Sequence, residues 1–379
     1  MTTSDSPAAA RNERNALLVV IAFIVVLGSV WVVGGNGQAP SENRNKVAFP
    51  EISGAAVLQP KTFAAIDASI RDRIPARPLV LNSIAATLEP LSMSYSNRVV
   101  LGEGGAPFLT DDLFGPCFDD AREVPGILNA LRTQTESLKE KGQYSLFVIA
   151  PDKSSIMQGR SHGGIDSSYL SCSNSVRKSL ESLAPSTSFL PAWNDLNRAQ
   201  DNSSLNLYRP GDTHWNTVGA SVFVRTILTR LVKDGQAPAE LADQISFTRT
   251  PDEVMGGDLY ALLGQDWRTD LAPVVEADRP DVVTKTTKYS TNSGRGATRW
   301  TSVATTSALV PGKTLVIGDS FFEAAGSLAA PYFQDLTLVV NLDGNDPPSA
   351  ILNEHYDRII VEQVQRGWTS IANNYVLLK

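Results

Sequence analysis

Apolar and polar positions fall into blocks along the chain, and their periods separate helices from strands. The first block is uniform: residues 16–33 read ALLVVIAFIVVLGSVWVV, with no charge and no proline. As a helix at about 1.5 Å per residue it would span roughly 27 Å, close to the ~30 Å hydrocarbon layer of a bilayer. The apolar run of a secretion signal is usually only about 7–15 residues and ends in an A-x-A-like site. Here the flank is GGNGQAPSENRNK. The expectation is an uncleaved membrane anchor at 16–34, following a polar tail at 1–15 and preceding a stalk at 35–60 that contains Gly, Pro and Asn.

Beyond the stalk, Phe63, Ile66, Ile70 and Ile74 recur at helical spacing. Residues 123–141 predict a second helix with Ile127, Leu128, Leu131 and Leu138 turned inward. The run YSLFVIA at 144–150 is short, apolar and bounded by glycine and proline, which predicts a buried strand. Asn216 reads as the N-cap of a long helix with the stripe Ala220, Phe223, Ile227, Leu228 and Leu231, stopped at Gly235. Residues 314–318, 336–340 and 358–361 are three more strand-type runs. The Thr/Ser-rich stretch near 285–308 reads as loop or edge strands. Strands alternating with helices predict an α/β domain over 61–379 with a mostly parallel sheet.

Composition narrows the class. The chain has 379 residues, 42% hydrophobic and 19% charged, which is ordinary for a globular protein. Nothing in a net charge of −7 suggests nucleic acid, which would want a basic face. Arg11 and Arg14 precede the apolar block more closely than Arg44 and Lys46 follow it, so the positive-inside rule puts the N-terminus in the cytoplasm and the rest outside. Cys117 and Cys172 are the two cysteines. In an oxidising compartment they would close a loop of about 55 residues, worth about 4 kcal/mol in the chain-entropy model. The alternative is a pair of buried thiols. Two cysteines without nearby histidines make no zinc set, and no cofactor or metal is expected.

Candidate chemistry centres on Gly318-Asp319-Ser320-Phe321, between a predicted buried strand and a predicted helix. Catalytic groups in α/β sheets gather at the carboxyl ends of strands, and a serine there lies near helix amides that could hold an oxyanion. A plain serine N-cap is the competing reading. A nucleophilic serine needs a base, and the chain has three histidines, His162, His214 and His355. His162 sits in a glycine-rich loop and His355 at the predicted end of a helix. His214 lies in RPGDTHWN at 209–216. In an extended segment residues i and i+2 share a face, so Asp212 can bond the His214 ring while the other nitrogen faces Ser320, the division of labour of a Ser-His-Asp system. The competing reading is that Asp212 and Asn216 only cap a helix. In an open cleft, substitutions at these residues are expected to cost little stability.

The motifs GDTHWNTVGA at 211–220 and VIGDSF at 316–321, in that order, resemble the SGNH-hydrolase-like alginate O-acetyltransferases of the AlgJ and AlgX type. FVIAPDKSSI at 147–156, GGDLYALL at 256–263, RIIVEQVQR at 358–366 and, more loosely, VVLGEGGAPFL at 99–109 support it. The resemblance implies a three-layer α/β/α, flavodoxin-like fold, with Ser320, His214 and Asp212 as the catalytic set. It also implies a polysaccharide acceptor and a membrane-bound acyltransferase that supplies acetyl groups across the bilayer. Residues 104–108 lack the family's usual aromatic, and Gly344-Asn345-Asp346 only approximates the Gly-x-Asn-Asp block of SGNH esterases, so oxyanion donors beyond the Ser320 amide stay unassigned. Glu362 reads as a structural strand-end carboxylate. The expected function is O-acetylation of an exported or cell-surface polysaccharide; an esterase or deacetylase using the same residues, and a non-catalytic polysaccharide-binding scaffold, are the alternatives.

Overall fold

The computed structural model of the chain describes residues 59–71, 83–84, 87, 96–113, 124–158, 174–175, 177–181, 188–289, 296–340, 351 and 353–370. The predicted anchor at 16–33, Cys117, Cys172, His162 and the 344–346 block lie outside these residues. Among the described residues no helix is long and apolar enough to cross a membrane. The chain divides into two compact units, Met1–Tyr95 with Ala261–Asp266, and Ser96–Tyr260 with Trp267–Lys379. In the first, α1 spans Pro60–Arg71, with Phe63 on an exposed face.

The second unit begins with a short hairpin, β1 (Val99–Leu101) and β2 (Pro107–Leu109), turned through Gly104 and Gly105 at positive φ. Helix α2 (Val124–Glu140) buries Leu131 and Leu138 and leads into β3 (Tyr144–Ala150), whose last six residues are all buried. A short α3 (Lys153–Ile156), β4 (Phe189–Pro191) and α4 (Trp193–Asn202) follow. Helix α5 (Thr217–Lys233) is capped as the sequence predicts. Asn216 Oδ1 accepts from the amides of Val218 and Gly219 at 2.9 and 3.0 Å, and Gly235 lies just past the end at φ 69°.

The remaining elements are β5 (Phe247–Met255), α6 (Asp258–Leu262), β6 (Asp270–Ala277), β7 (Val282–Tyr289), β8 (Ala297–Ala304), β9 (Val310–Gly318), α7 (Ser320–Ala329), β10 (Phe333–Val340) and β11 (Arg358–Val364). The main sheet has the order β4-β3-β11-β9-β10-β8-β7. Its first five strands are parallel neighbours, whereas β8 and β7 add on antiparallel. The sheet is therefore mixed rather than simply parallel. Parallel neighbours need crossover connections such as β9-α7-β10, while the Thr/Ser-rich stretch supplies the two antiparallel strands at the edge. β5 and β6 pair as a separate hairpin. α5 packs on α4 and α7. This places the start of α7, at the carboxyl end of the central strand β9, beside the loop that enters α5.

Candidate active site

The loop into α5 is closed by main-chain bonds before any side chain acts. Tyr208 and Trp215 form an antiparallel bridge, and Asn216 N donates to Leu207 O at 2.9 Å. Trp215 is buried against Phe223, ring centroids 4.6 Å apart, and against Phe321 at 4.9 Å. Two glycines allow a close approach from below. A Cβ on Gly211 would lie 2.0 Å from the Tyr260 ring, and one on Gly257 would lie 1.9 Å from Gly211 O. Gly211 N donates to Asp270 Oδ2 at 2.8 Å.

Within this loop Asp212 Oδ1 accepts from both the amide and the ring Nδ1 of His214, each at 2.8 Å. The pairing is made in a bend, not by the alternation of an extended segment. An aspartate that caps the amide two residues on is an Asx turn, and the same oxygen holds the ring. A carboxylate only accepts, so Nδ1 carries the proton and Nε2 is left as an acceptor. His214 Nε2 lies 2.8 Å from Ser320 Oγ. The three residues that the sequence singled out thus meet in one chain of bonds. Arg209 pairs with Asp212 Oδ2 at 2.5 Å, and the Asp258 amide donates to it at 3.3 Å. Burial would raise the Asp212 carboxyl, but the bonds from His214 and the charge of Arg209 outweigh it and hold it below the usual range. Asp212 is 5% exposed, so its replacement will cost stability, contrary to the expectation from an open cleft.

Asp258 adds a second carboxylate that the sequence reading left unassigned. It accepts from Thr213 N at 2.7 Å and Thr213 Oγ1 at 2.5 Å, and one oxygen lies 3.8 Å from His214 Nδ1. Donor atoms of Asp212, His214 and Asp258 lie within 4.8 Å of one another, a spacing that could suit a cation. They are already spent on the Thr213, His214 and Arg209 bonds, and Arg209 supplies the positive charge. The signal for Asp258 was the GGDLYALL motif, whose glycines mark the close approach.

On the serine side the cap of α7 is Asp319, not Ser320. Asp319 Oδ1 accepts from Phe321 N at 2.8 Å, and Oδ2 accepts from Val364 N at 2.8 Å. Ser320 is the first helical residue, and first-turn amides have no partner in their own ladder. Glu362 Oε2 accepts from Asp319 N at 3.0 Å; burial first, then the neighbouring Asp319 charge, pushes its carboxyl well above the usual range. That is the structural part the sequence suggested for it. His355 is exposed in the segment before β11. Phe321 stacks on the His214 ring at 4.9 Å, and the Arg366 guanidinium sits 5.3 Å over the Phe321 ring. Arg366 Nη1 also donates to Asp112 at 3.1 Å and Asp152 at 2.5 Å.

Residues 101–324 match the model of a family described as SGNH hydrolase-like domain, acetyltransferase AlgX. The matched segment is more than half the chain and contains Asp212, His214 and Ser320. None of the curated proteins matches the chain. Among solved structures, Bacillus cereus PatB1 with a sulfonyl adduct is 12% identical, covering 65% of this chain and 91% of that one, with a TM-score of 0.45. The O-acetyltransferase domain of Pseudomonas putida AlgJ is 14% identical, covering 73% and 98%, with a TM-score of 0.44. Pseudomonas aeruginosa AlgX is 15% identical, covering 73% and 67%, with a TM-score of 0.45. Likenesses this distant carry no function by themselves.

Proposed function

The chain belongs to the family of SGNH hydrolase-like AlgX acetyltransferases, and from that premise we propose that it is a serine-dependent O-acetyltransferase acting on an exported or cell-surface polysaccharide. The observation that carries the reading is the bond chain Asp212–His214–Ser320, both side-chain steps at 2.8 Å. A serine hydroxyl is a weak nucleophile until an adjacent base takes its proton.

In the first half-reaction His214 Nε2 takes the Ser320 proton as Oγ attacks the donor's acetyl carbonyl. The tetrahedral intermediate collapses, the donor oxygen leaves with the proton from Nε2, and acetyl-Ser320 remains. In the second, Nε2 takes the proton of a sugar hydroxyl as that oxygen attacks the acetyl-serine carbonyl. Ser320 Oγ then leaves and recovers the proton. Asp212 keeps the ring in the tautomer both steps need and balances the imidazolium. The Ser320 amide, at the N-terminus of α7, would donate to the oxyanion.

In this reading the 16–34 segment anchors the protein with its N-terminus in the cytoplasm and its active site outside. Acetyl groups would reach it from a membrane-bound acyltransferase, because acetyl transfer outside the cell needs a relay. A reporter fused after Lys379 should be active only on the outer side of the membrane; cytoplasmic activity would contradict that topology. The function is tested with the full chain in detergent, a chromogenic acetyl ester and a soluble oligosaccharide. Acetyl ester on the sugar is expected. Release to water alone, with the sugar unmodified, would replace the transferase by an esterase.

A further inference from the structure

Lys153 is an ion that the reaction scheme does not use. It is 1% exposed, and it lies in the FVIAPDKSSI motif at the end of β3. Its Nζ donates to Pro107 O at 3.0 Å, Pro210 O at 2.5 Å and Asp212 O at 3.2 Å, and it sits 5.3 Å from the centre of the Phe108 ring. All three ammonium donors are thus spent on main-chain carbonyls. Two of those carbonyls flank Gly211, and one belongs to the residue whose side chain holds His214.

A buried ammonium costs more than an apolar side chain of the same length. Methionine would fill the space, yet it could not grip three carbonyls at once. We propose that Lys153 is a positioning residue of the site: its ammonium fixes the Pro210–Asp212 main chain so that Asp212 meets His214, and loss of its proton frees that loop and sets the alkaline limit of acetyl transfer. The inference rests on the reading of Ser320 and His214 as the reacting pair. A neutral amine has two hydrogens for three carbonyls and turns a lone pair toward the third.

The charges facing Lys153 are Asp112, Asp212, Asp258 and Asp270. Asp112 pairs with Arg366, which also pairs with Asp152, and Arg209 holds Asp212 from its far oxygen. Burial draws the ammonium down to about 8 against the pull of these carboxylates. An unfolded lysine keeps its proton to about 10.4. Between these values the unfolded chain binds more protons, so the stability contributed by Lys153 rises with pH. A lysine that served stability alone would leave activity undiminished there. A positioning lysine makes activity fall while stability rises.

The experiment follows kcat and KM of the full chain on a chromogenic acetyl ester across this range, with thermal unfolding measured on the same samples. Wild type should lose kcat above about pH 8 with KM little changed. Lys153→Arg, which cannot lose its proton in this range, should keep kcat on the alkaline side. Lys153→Met should fold and show a kcat lower by about 10²-fold at every pH, as for a site misplaced by about 1 Å. Should either variant fail to fold, the His214 Nδ1–H proton resonance of the wild type is followed instead, and it should change with the same midpoint as kcat. An alkaline limb that survives unchanged in a folded variant, or a His214 resonance that does not move, overturns the proposal. Loss of all ester cleavage by wild type at neutral pH would instead count against the reacting pair itself.

Discussion

The loop at 208–216 and the β7–β8 hairpin are both rich in polar side chains, and they use them in opposite ways. In the loop the polar groups are spent on one another: Asp212 holds His214, Asp258 holds Thr213, Asn216 caps α5 and Lys153 grips the carbonyls beneath. In the hairpin, Lys285, Thr286, Thr287 and Lys288 are all exposed to water, and the opposed pair Val283 and Val303 is 76% and 73% exposed. β8 itself buries only Ala297, Trp300 and Ser302. Polar content by itself therefore says little. What separates a site from a surface strand is whether each polar atom has a fixed partner out of water, where an unmade bond costs about 1–3 kcal/mol.

Substitutions on the two sides should separate just as sharply. The largest effect is expected at His214. Replacing it by alanine should lower acetyl-transfer kcat by about 10⁶-fold, and adding Ser320→Ala should cost little more, because such residues act as a unit. Single-turnover kinetics of the single and double variants check this; multiplicative losses would break the chain of bonds apart. Asp212→Asn should come next, with a loss of about 10⁴-fold from the wrong imidazole tautomer.

Asp212 also predicts a pH signature. Its folded carboxyl lies below the ordinary value, so its contribution to stability is complete above about pH 4 and is lost as pH falls through the lowered value. Acid unfolding of wild type should show this loss, and Asp212→Asn should lack it. Asp258→Ala keeps all three reacting side chains but frees Thr213, the residue between Asp212 and His214. It should cost about 10²-fold in kcat through misplacement and about 2 kcal/mol in denaturant unfolding. The smallest effect is expected on the hairpin: Val283→Thr should change stability by less than about 0.5 kcal/mol and leave kcat unaltered. A large loss there would mean that the exposed edge serves the site.

The sequence was legible where burial is continuous or where a cap is chemically marked. Strand β3 matches the apolar run at 144–150 end to end because its last six residues are all buried. Asn216 and Gly235 bracket α5 because one side chain and one positive φ do the capping and stopping. The hairpin strands β5 and β7 drew no strand assignment of their own because they have no fully buried positions, so their apolar residues keep no regular period. Ser320, His214 and Asp212 could be named because the chemistry needs those three residue types, because the chain has only three histidines, and because one of them stands two residues after an aspartate. The residues that hold them could not. Arg209, Lys153 and Asp258 act through the cross-chain approach of Gly211 to Gly257 and of α3 to the loop, and a buried lysine is not what spacing predicts.

The most direct test of acetyl transfer through Ser320 is to find the acetyl group on the enzyme. Full-length protein is mixed with the chromogenic acetyl ester, quenched in acid within one turnover, digested and weighed by mass spectrometry, with and without an oligosaccharide chase. The expected result is one added acetyl group on Ser320 that disappears in the chase as the sugar gains it, with no label in Ser320→Ala. An acetyl group found on another residue, or full transfer to sugar by a folded Ser320→Ala protein, would contradict it.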